Sequence, residues 1–346
     1  MAETAPFDKL MALWQPRHRA AFEFSVYGCS WLPATGYEFQ VLRGWLLMTD
    51  IERITTLASL PPREADGHKG DYGHAMVVGG SAGMIGAVAL ACNGALRGGV
   101  GLATFAAPRI VQPFIATLCP CATSVPLACD EDGQLGPEAL RQMLEQAHRC
   151  NVVAVGPGMA IGSPQQNLVQ ALLEYHLPLV IDADGLNNLS QINNWPARRG
   201  CPLVLTPHPG ELSRLIGKPT AEIQADRENI AVQAARQWAS QGPQDKPLVL
   251  VLKGDGTIVT DGQRLYTNDT GNPGLATGGT GDVLTGLIAG ILAQGIAPLE
   301  AACMAVHAHG RAGDLAALEK GQVSLIASDL ADFLPEAMME FYAEPF

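Results

Sequence analysis

The sequence predicts an α/β protein in which a mostly parallel central sheet carries helices on both faces. Three observations predict it. Short apolar runs alternate with segments of helical length at a spacing of about 25 to 30 residues, the period of a strand–helix unit. Most of these runs end in a turn rich in glycine, aspartate or histidine, where a parallel strand passes into its crossover. Hydrophobic residues fill 47% of the 346 positions and charged residues 16%, which supports a large buried core and argues against long disorder.

In chain order, residues 1–47 stand apart. Their aromatics, from Phe7 to Trp45, follow no steady period, so the stretch is expected to be a dispensable extension ahead of Met48, which reads as an ordinary start. Residues 48–346 contain no linker rich in Pro, Ser or charge and are expected to form a single domain. Met48-Thr49-Asp50 is followed by a short helical pattern to Leu60, which Pro61-Pro62 stops. Ala75–Val78 reads as a strand, Gly79-Gly80-Ser81 as its turn and Ile85–Leu96 as a helix. Leu102–Ala106 (strand) and Ile110–Leu118 (helix) repeat the unit. Leu135–His148 is an amphipathic helix with Pro137 near its start. Strands follow at Val152–Val155, Leu179–Ile181 and Leu203–Leu205, with a helix over Pro164–Tyr175 and a long one over Ala221–Gln241. Leu248–Leu252, Thr257–Thr260 and Arg264–Tyr266 lie too close together for crossovers and read as hairpin strands. The stretch GNPGLATGGTGD (271–282) then feeds the apolar run Val283–Leu292, and helices over Glu300–Leu318 and after Ser328 close the chain.

Charge and cysteine usage exclude several classes. A net charge of −12 argues against non-specific binding to nucleic acid or to anionic membranes. The eight cysteines are scattered, show no zinc-site spacing and form no CxxC motif, so reduced thiols and a cytoplasmic location are expected. No apolar run reaches transmembrane length, and the N-terminus lacks the basic-then-apolar layout of a secretory leader.

Chemistry concentrates at the strand ends. In the 271–282 loop, glycines allow close approach of a phosphate, and a helix start presents unpaired N–H groups beside a carboxylate, Asp282. Such donors can hold a transferring group while the carboxylate takes a proton from an attacking hydroxyl; the plain alternative is a tight turn with an N-terminal helix carboxylate. Gly79-Gly80-Ser81 and Gly156-Pro157-Gly158 are turns first and ligand loops second, and neither a GxGxxG nor a GxxxxGK[ST] fingerprint is present. Asp182 and Asp184 follow a strand as an N-cap or as contacts to metal-bound water or a ribose hydroxyl. His208 lies between two prolines and is held stiffly, and Glu211 reads as a first-turn carboxylate. His307 and His309 read as packing residues rather than ligands. Lys253-Gly254-Asp255-Gly256-Thr257 is a hairpin turn that beside a phosphate loop becomes a nucleotide contact.

Taken together and in order, Gly79-Gly80-Ser81 with Gly86-Ala87, Gly156-Pro157-Gly158, Ile181 to Asn187, Thr206 to Glu211, Leu252-Lys253-Gly254 and Gly271 to Gly286 resemble the ADP-dependent NAD(P)H-hydrate dehydratases of the ribokinase-like fold. The likeness covers roughly residues 48 to 334. It implies phosphorylation of the ring hydroxyl of hydrated NADH or NADPH by ADP, then loss of phosphate to restore the dihydronicotinamide. By motif it implies Asp282 as the base, and Ala87, Gly158, His208 and Asp282 as contacts to the hydrated dinucleotide. It further implies Lys253, Gly254, Asp255, Gly256, Thr257 and Gly281 as nucleotide contacts, and Mg2+ as the cation on the phosphates, its ligands unassigned. A homo-oligomer (a tetramer) and a separate NAD(P)H-hydrate epimerase as functional partner belong to the same expectation. One departure is Met84-Ile85, where the family places an aromatic. The rival readings are an ATP-dependent kinase of a small alcohol, of the thiazole or hydroxymethylpyrimidine type, and a non-catalytic nucleotide sensor. Pro207-His208-Pro209-Gly210-Glu211 weighs against the kinase, and an intact Asp282 against the sensor.

Overall fold

The structure is a computed structural model that describes residues 51–342. The expectations for residues 1–47 and for a start at Met48 lie outside the described residues. Ten strands and twelve α-helices follow one another among them. They are β1 (Glu52–Arg53), β2 (His74–Val78), α1 (Ile85–Arg97), β3 (Leu102–Pro108), α2 (Gln112–Leu118), β4 (Thr123–Leu127), α3 (Pro137–Ala147) and β5 (Val152–Val155). Next come α4 (Ser163–Glu174), β6 (Leu179–Ile181), α5 (Ala183–Leu189), α6 (Trp195–Arg198), β7 (Leu203–Leu205), α7 (Pro209–Ile216), α8 (Thr220–Ala225) and α9 (Arg227–Gln241). The chain ends with β8 (Leu248–Leu252), β9 (Ile258–Thr260), β10 (Arg264–Thr267), α10 (Thr280–Ala293), α11 (Pro298–Lys320) and α12 (Ala327–Met338).

All ten strands join one sheet in the order β1-β10-β9-β8-β7-β6-β5-β2-β3-β4. Pairing is parallel except where β9 runs antiparallel to β8 and β10. The chain builds outward from β2 through β3 to β4, then returns to the other side of β2 and builds through β5 to β8. The strand order therefore reverses between β2 and β5, and a parallel sheet opens a crevice at the carboxyl ends of such a pair.

Residues alternate between two cores. On one face Val77, Ala154, Val180, Val204 and Val251 pack under α1, α10, α11 and α12. On the other Met76, Val155, Ile181, Leu205 and Leu250 pack under α3, α4, α5 and α9. α10 is buried along almost its whole length and lies against α1 nearly backbone to backbone. A Cβ on Gly286 would stand 1.7 Å from the Ala91 carbonyl oxygen, so only glycine permits that approach. This contact sets the depth and direction of α10, and so the position of its N-terminus.

Three expectations change. The helical pattern expected between Asp50 and Leu60 is not a helix: Glu52 and Arg53 form an edge strand parallel to β10, and Arg53 is ion-paired to Glu228. Backbone pairing to an open sheet edge outweighs the weak propensity of a short segment. The long helix expected over Ala221–Gln241 breaks at Asp226, whose φ of −148° and ψ of 59° are not helical. Finally β4 and the short helices α5, α6 and α7 add to the expected elements; α5 and α7 start within the Asp182 and His208 turns themselves. Among the described residues no helix is long and apolar enough to cross a membrane.

Candidate active site

A cavity of about 500 Å³ opens at the reversal between β2 and β5. Met84 and Ala87 enter it from the turn after β2 and the start of α1, Gly158 from the turn after β5, and Asp184 and Asn187 from α5. Glu211 comes from α7, and Gly278, Gly279 and Asp282 from the start of α10. The first two walls interlock. Gly158 has φ +60°, and a Cβ there would stand 2.6 Å from the Met84 carbonyl oxygen and 3.2 Å from the Ala87 methyl group.

The glycine loop is anchored from behind by α11. Asp314 accepts hydrogen bonds from the Gly271 N–H at 2.9 Å and from Asn272 Nδ2 at 3.0 Å, and Asn272 in turn accepts from the Gly274 N–H. Thr280 donates its hydroxyl to the Leu275 carbonyl, and His309 Nε2–H donates to the Thr280 carbonyl at 2.8 Å. Burial pushes the His309 ring down to about 4, so it is neutral and can donate without adding charge. Gly279 then takes φ +94° at the N-cap, with no side-chain cap on α10. The opening amides of α10, at Gly281 and Asp282, have no acceptor among the described residues. An uncapped helix N-terminus facing a cavity can hold an anion.

Under that N-terminus lies a crowded charge cluster. Lys253 Nζ donates to Asp182 Oδ1 at 2.5 Å and stands 3.8 Å from Glu211 Oε2. Asp182 Oδ2 accepts from the Thr285 hydroxyl at 2.6 Å, which ties α10 to the end of β6. A Cβ on Gly281 would be 3.5 Å from the Lys253 ammonium. The carboxylates Asp182, Asp184, Glu211 and Asp282 thus outnumber the ammonium, and they act on one another electrostatically. Burial, reinforced by Asp182, Asp184 and Glu211, pushes Asp282 up to about 7 although Lys253 opposes the shift. Burial likewise raises Glu211, with Asp182 adding to it. Burial works against the charge of Lys253, but Asp182 and Glu211 together outweigh it and its pKa rises. A carboxylate poised near 7 beside open amides can take a proton from a hydroxyl while a phosphoryl group is held.

The residues singled out in the sequence fall into three groups. Ala87, Gly158 and Asp282 line one cavity. His208 lies beside it: the exposed ring caps α7, Nδ1 accepting from the Gly210 N–H at 3.0 Å, while the His208 N–H donates to Glu211, which does line the cavity. Burial, then the charges of Lys253 and Arg214, lowers the pKa of that ring. Lys253 and Gly281 meet beneath the cavity floor, and Gly254, Asp255, Gly256 and Thr257 continue as the turn between β8 and β9. Thr257 closes that turn by donating to the Gly254 carbonyl at 2.8 Å, and Arg227 braces it from α9 through the Leu252 carbonyl at 3.2 Å. Asp314 and Thr285 had no role in the sequence reading, and His309 was read only as packing. No spacing signal marks them, because each acts across a tertiary contact.

Comparisons with known proteins bear on the family and the fold. The chain is 44% identical over 290 residues to a bifunctional NAD(P)H-hydrate repair enzyme of Moorella thermoacetica, covering 83% of this chain and 53% of that one. It thus spans about half the length of the first curated relatives it matches. It is 37% identical over 286 residues to an ADP-dependent (S)-NAD(P)H-hydrate dehydratase of Bacillus subtilis, covering 82% of this chain and 95% of that one. A crystal structure of the ADP/ATP-dependent NAD(P)H-hydrate dehydratase of Bacillus subtilis, co-crystallised with ATP and Mg2+, superposes with a TM-score of 0.66 at 32% identity. That match covers 83% of this chain and 100% of the other. The fold is ribokinase-like. A family model described as NAD(P)H-hydrate dehydratase matches residues 75–336, and the chain belongs to that family.

Proposed function

We propose that the protein returns hydrated NADH and NADPH to NADH and NADPH at the expense of ADP, releasing AMP and phosphate. The observation that carries the reading is the pairing of Asp282, held near pKa 7, with the open amides of the α10 N-terminus in one cavity. Asp282 takes the proton of the ring hydroxyl, and that oxygen attacks the terminal phosphorus of ADP. The amides of Gly279 to Gly281 hold the transferring group, and AMP leaves. The C–O bond then breaks with its electron pair going to phosphate, a proton leaves the neighbouring ring carbon, and the double bond is restored. Ala87, Gly158 and His208 contact the hydrated dinucleotide, and Lys253 to Thr257 with Gly281 contact the adenine nucleotide. The cavity and the adjoining turn support this division.

The donor set fits Mg2+. Among the described residues no cluster of three or more His, Cys, Asp or Glu side chains makes a closed metal cage. Magnesium is ordinarily held by one or two carboxylates together with substrate phosphates, and the surplus negative charge around Lys253 favours a cation. Asp184 and Glu211 would hold it, and its charge would offset that of the phosphates. We place the reaction in the cytoplasm, which the free cysteines among the described residues support. We also propose a homo-oligomer, a tetramer by family resemblance, working with an NAD(P)H-hydrate epimerase. Light scattering and co-assay with an epimerase test these two points.

The central test is incubation with hydrated NADH, Mg2+ and either ADP or ATP, following the absorbance of restored NADH. Recovery with release of AMP and phosphate is expected with ADP. No recovery with either nucleotide removes the reading, and accumulation of a stable phosphorylated product would mark a kinase instead.

A further inference from the structure

The substrate of the proposed reaction is a dinucleotide whose phosphates must be met by a chain of net charge −12 and by a cavity wall that is itself acidic. Lys253 is already engaged by Asp182 and Glu211. Arg214 differs. It projects from α7 one turn beyond Glu211 and reaches across to α5, where its Nη1 donates to Asn187 Oδ1 at 3.0 Å. Asn187 lines the cavity. Its amide is oriented from the other side by Nδ2 donating to Asp184 Oδ1 at 3.3 Å, and Asp184 accepts from the Ala160 N–H at 3.0 Å. A hydrogen-bonded chain therefore runs along the cavity wall and ends in a guanidinium at the rim. Among the described residues Arg214 has no carboxylate partner, its one bond goes to a neutral amide, and the side chain is exposed.

We propose that Arg214, steadied by Asn187, binds a phosphate of the dinucleotide substrate. An arginine fork matches phosphate geometry with paired N–H donors, and one with no carboxylate at ion-pair distance has no close salt bridge to break on binding. Its charge already reaches the site, since it is among the groups that lower the proton affinity of His208. Two phosphates share this chemistry: the diphosphate bridge common to both hydrates and the 2′-phosphate present only on the NADPH form. The proposal rests on the dehydratase reading.

The test uses the full chain with Arg214→Ala, Arg214→Lys and Asn187→Ala. It compares KM for both hydrates, KM for ADP, and direct binding of NADH and NADPH by fluorescence. Arg214→Ala is expected to raise hydrate KM and weaken dinucleotide binding about tenfold, leaving KM for ADP within about twofold. Arg214→Lys restores part of the loss, Asn187→Ala gives a smaller one, and the penalty shrinks as salt rises. An equal loss for NADH and NADPH assigns the diphosphate bridge; a loss confined to NADPH assigns the 2′-phosphate. Unchanged dinucleotide binding in Arg214→Ala, or a change in KM for ADP alone, overturns the proposal while leaving the dehydratase reading intact. A wild-type protein that neither binds the dinucleotides nor turns over the hydrates overturns both.

Discussion

The two ends of the loop from Gly271 to Asp282 are held in opposite ways. At the first end the loop is tied to the fold: Gly271 and Asn272 donate to Asp314, and Asn272 accepts from Gly274. At the second end Gly279 takes a left-handed conformation, α10 has no side-chain cap, and the amides of Gly281 and Asp282 have no acceptor among the described residues. The first end is a clamp and the second an open helix start. The clamp fixes the backbone that leads into that helix start.

The largest expected effect strikes the open helix start. Asp282→Asn should cut turnover by about 10²- to 10⁴-fold, the usual weight of a general base, while nucleotide binding is retained. Near-normal turnover would show that the carboxylate is only a helix-start charge. The same variant has an opposite effect on stability. Protonated Asp282 stabilises the fold fully below the ordinary value of 3.8, and that contribution is lost as pH rises through about 7. Asp282→Asn should therefore raise Tm by a few degrees above pH 7 and much less at pH 4.

Next in size is the support beneath the open helix start. Lys253→Met leaves Asp182, whose side chain is 2% exposed, without its cation and should cost about 3 to 5 kcal/mol in chemical denaturation. It should also move the acidic limb of the rate profile to higher pH, because Lys253 holds Asp282 down. At the clamp, Asp314→Ala removes two hydrogen bonds to a charged acceptor and should cost about 2 kcal/mol. If the clamp positions the open helix start, KM for ADP rises in this variant while the pH profile stays in place. A shift of the profile would mean that the two ends are not separable. The smallest effect is in the wild-type protein: with a base near pKa 7, kcat/KM should fall about fivefold between pH 7 and pH 6. A flat profile over that range would place the pKa of the active base elsewhere.

Much of this was legible in the sequence because it is local. The alternation of short apolar runs with helical segments marked the sheet strands from β2 onward, apart from β4. β4 is a partly exposed strand of Thr, Ser and Pro with no apolar run to mark it. The turn residues Gly158, His208 and Asp282 stood out because strand ends are short and chemically unusual. The helix over Ala221–Gln241 was misread as continuous because Asp226 is compatible with either state and only packing decides. His309 looked like a core residue, and only the fold shows its ring holding the Thr280 carbonyl.

The sequence by itself determined the strand–helix order, the identity of the glycine loop and the presence of a carboxylate at its helix start, since these follow from periodicity and from neighbours along the chain. Tertiary structure decided what surrounds that carboxylate. Asp182, Asp184, Glu211 and Lys253 come from the ends of three different strands, and no spacing along the chain encodes their distance from Asp282. Their mutual field and burial, not the residue type, raise Asp282 from an ordinary surface acid to a group that exchanges its proton near neutral pH.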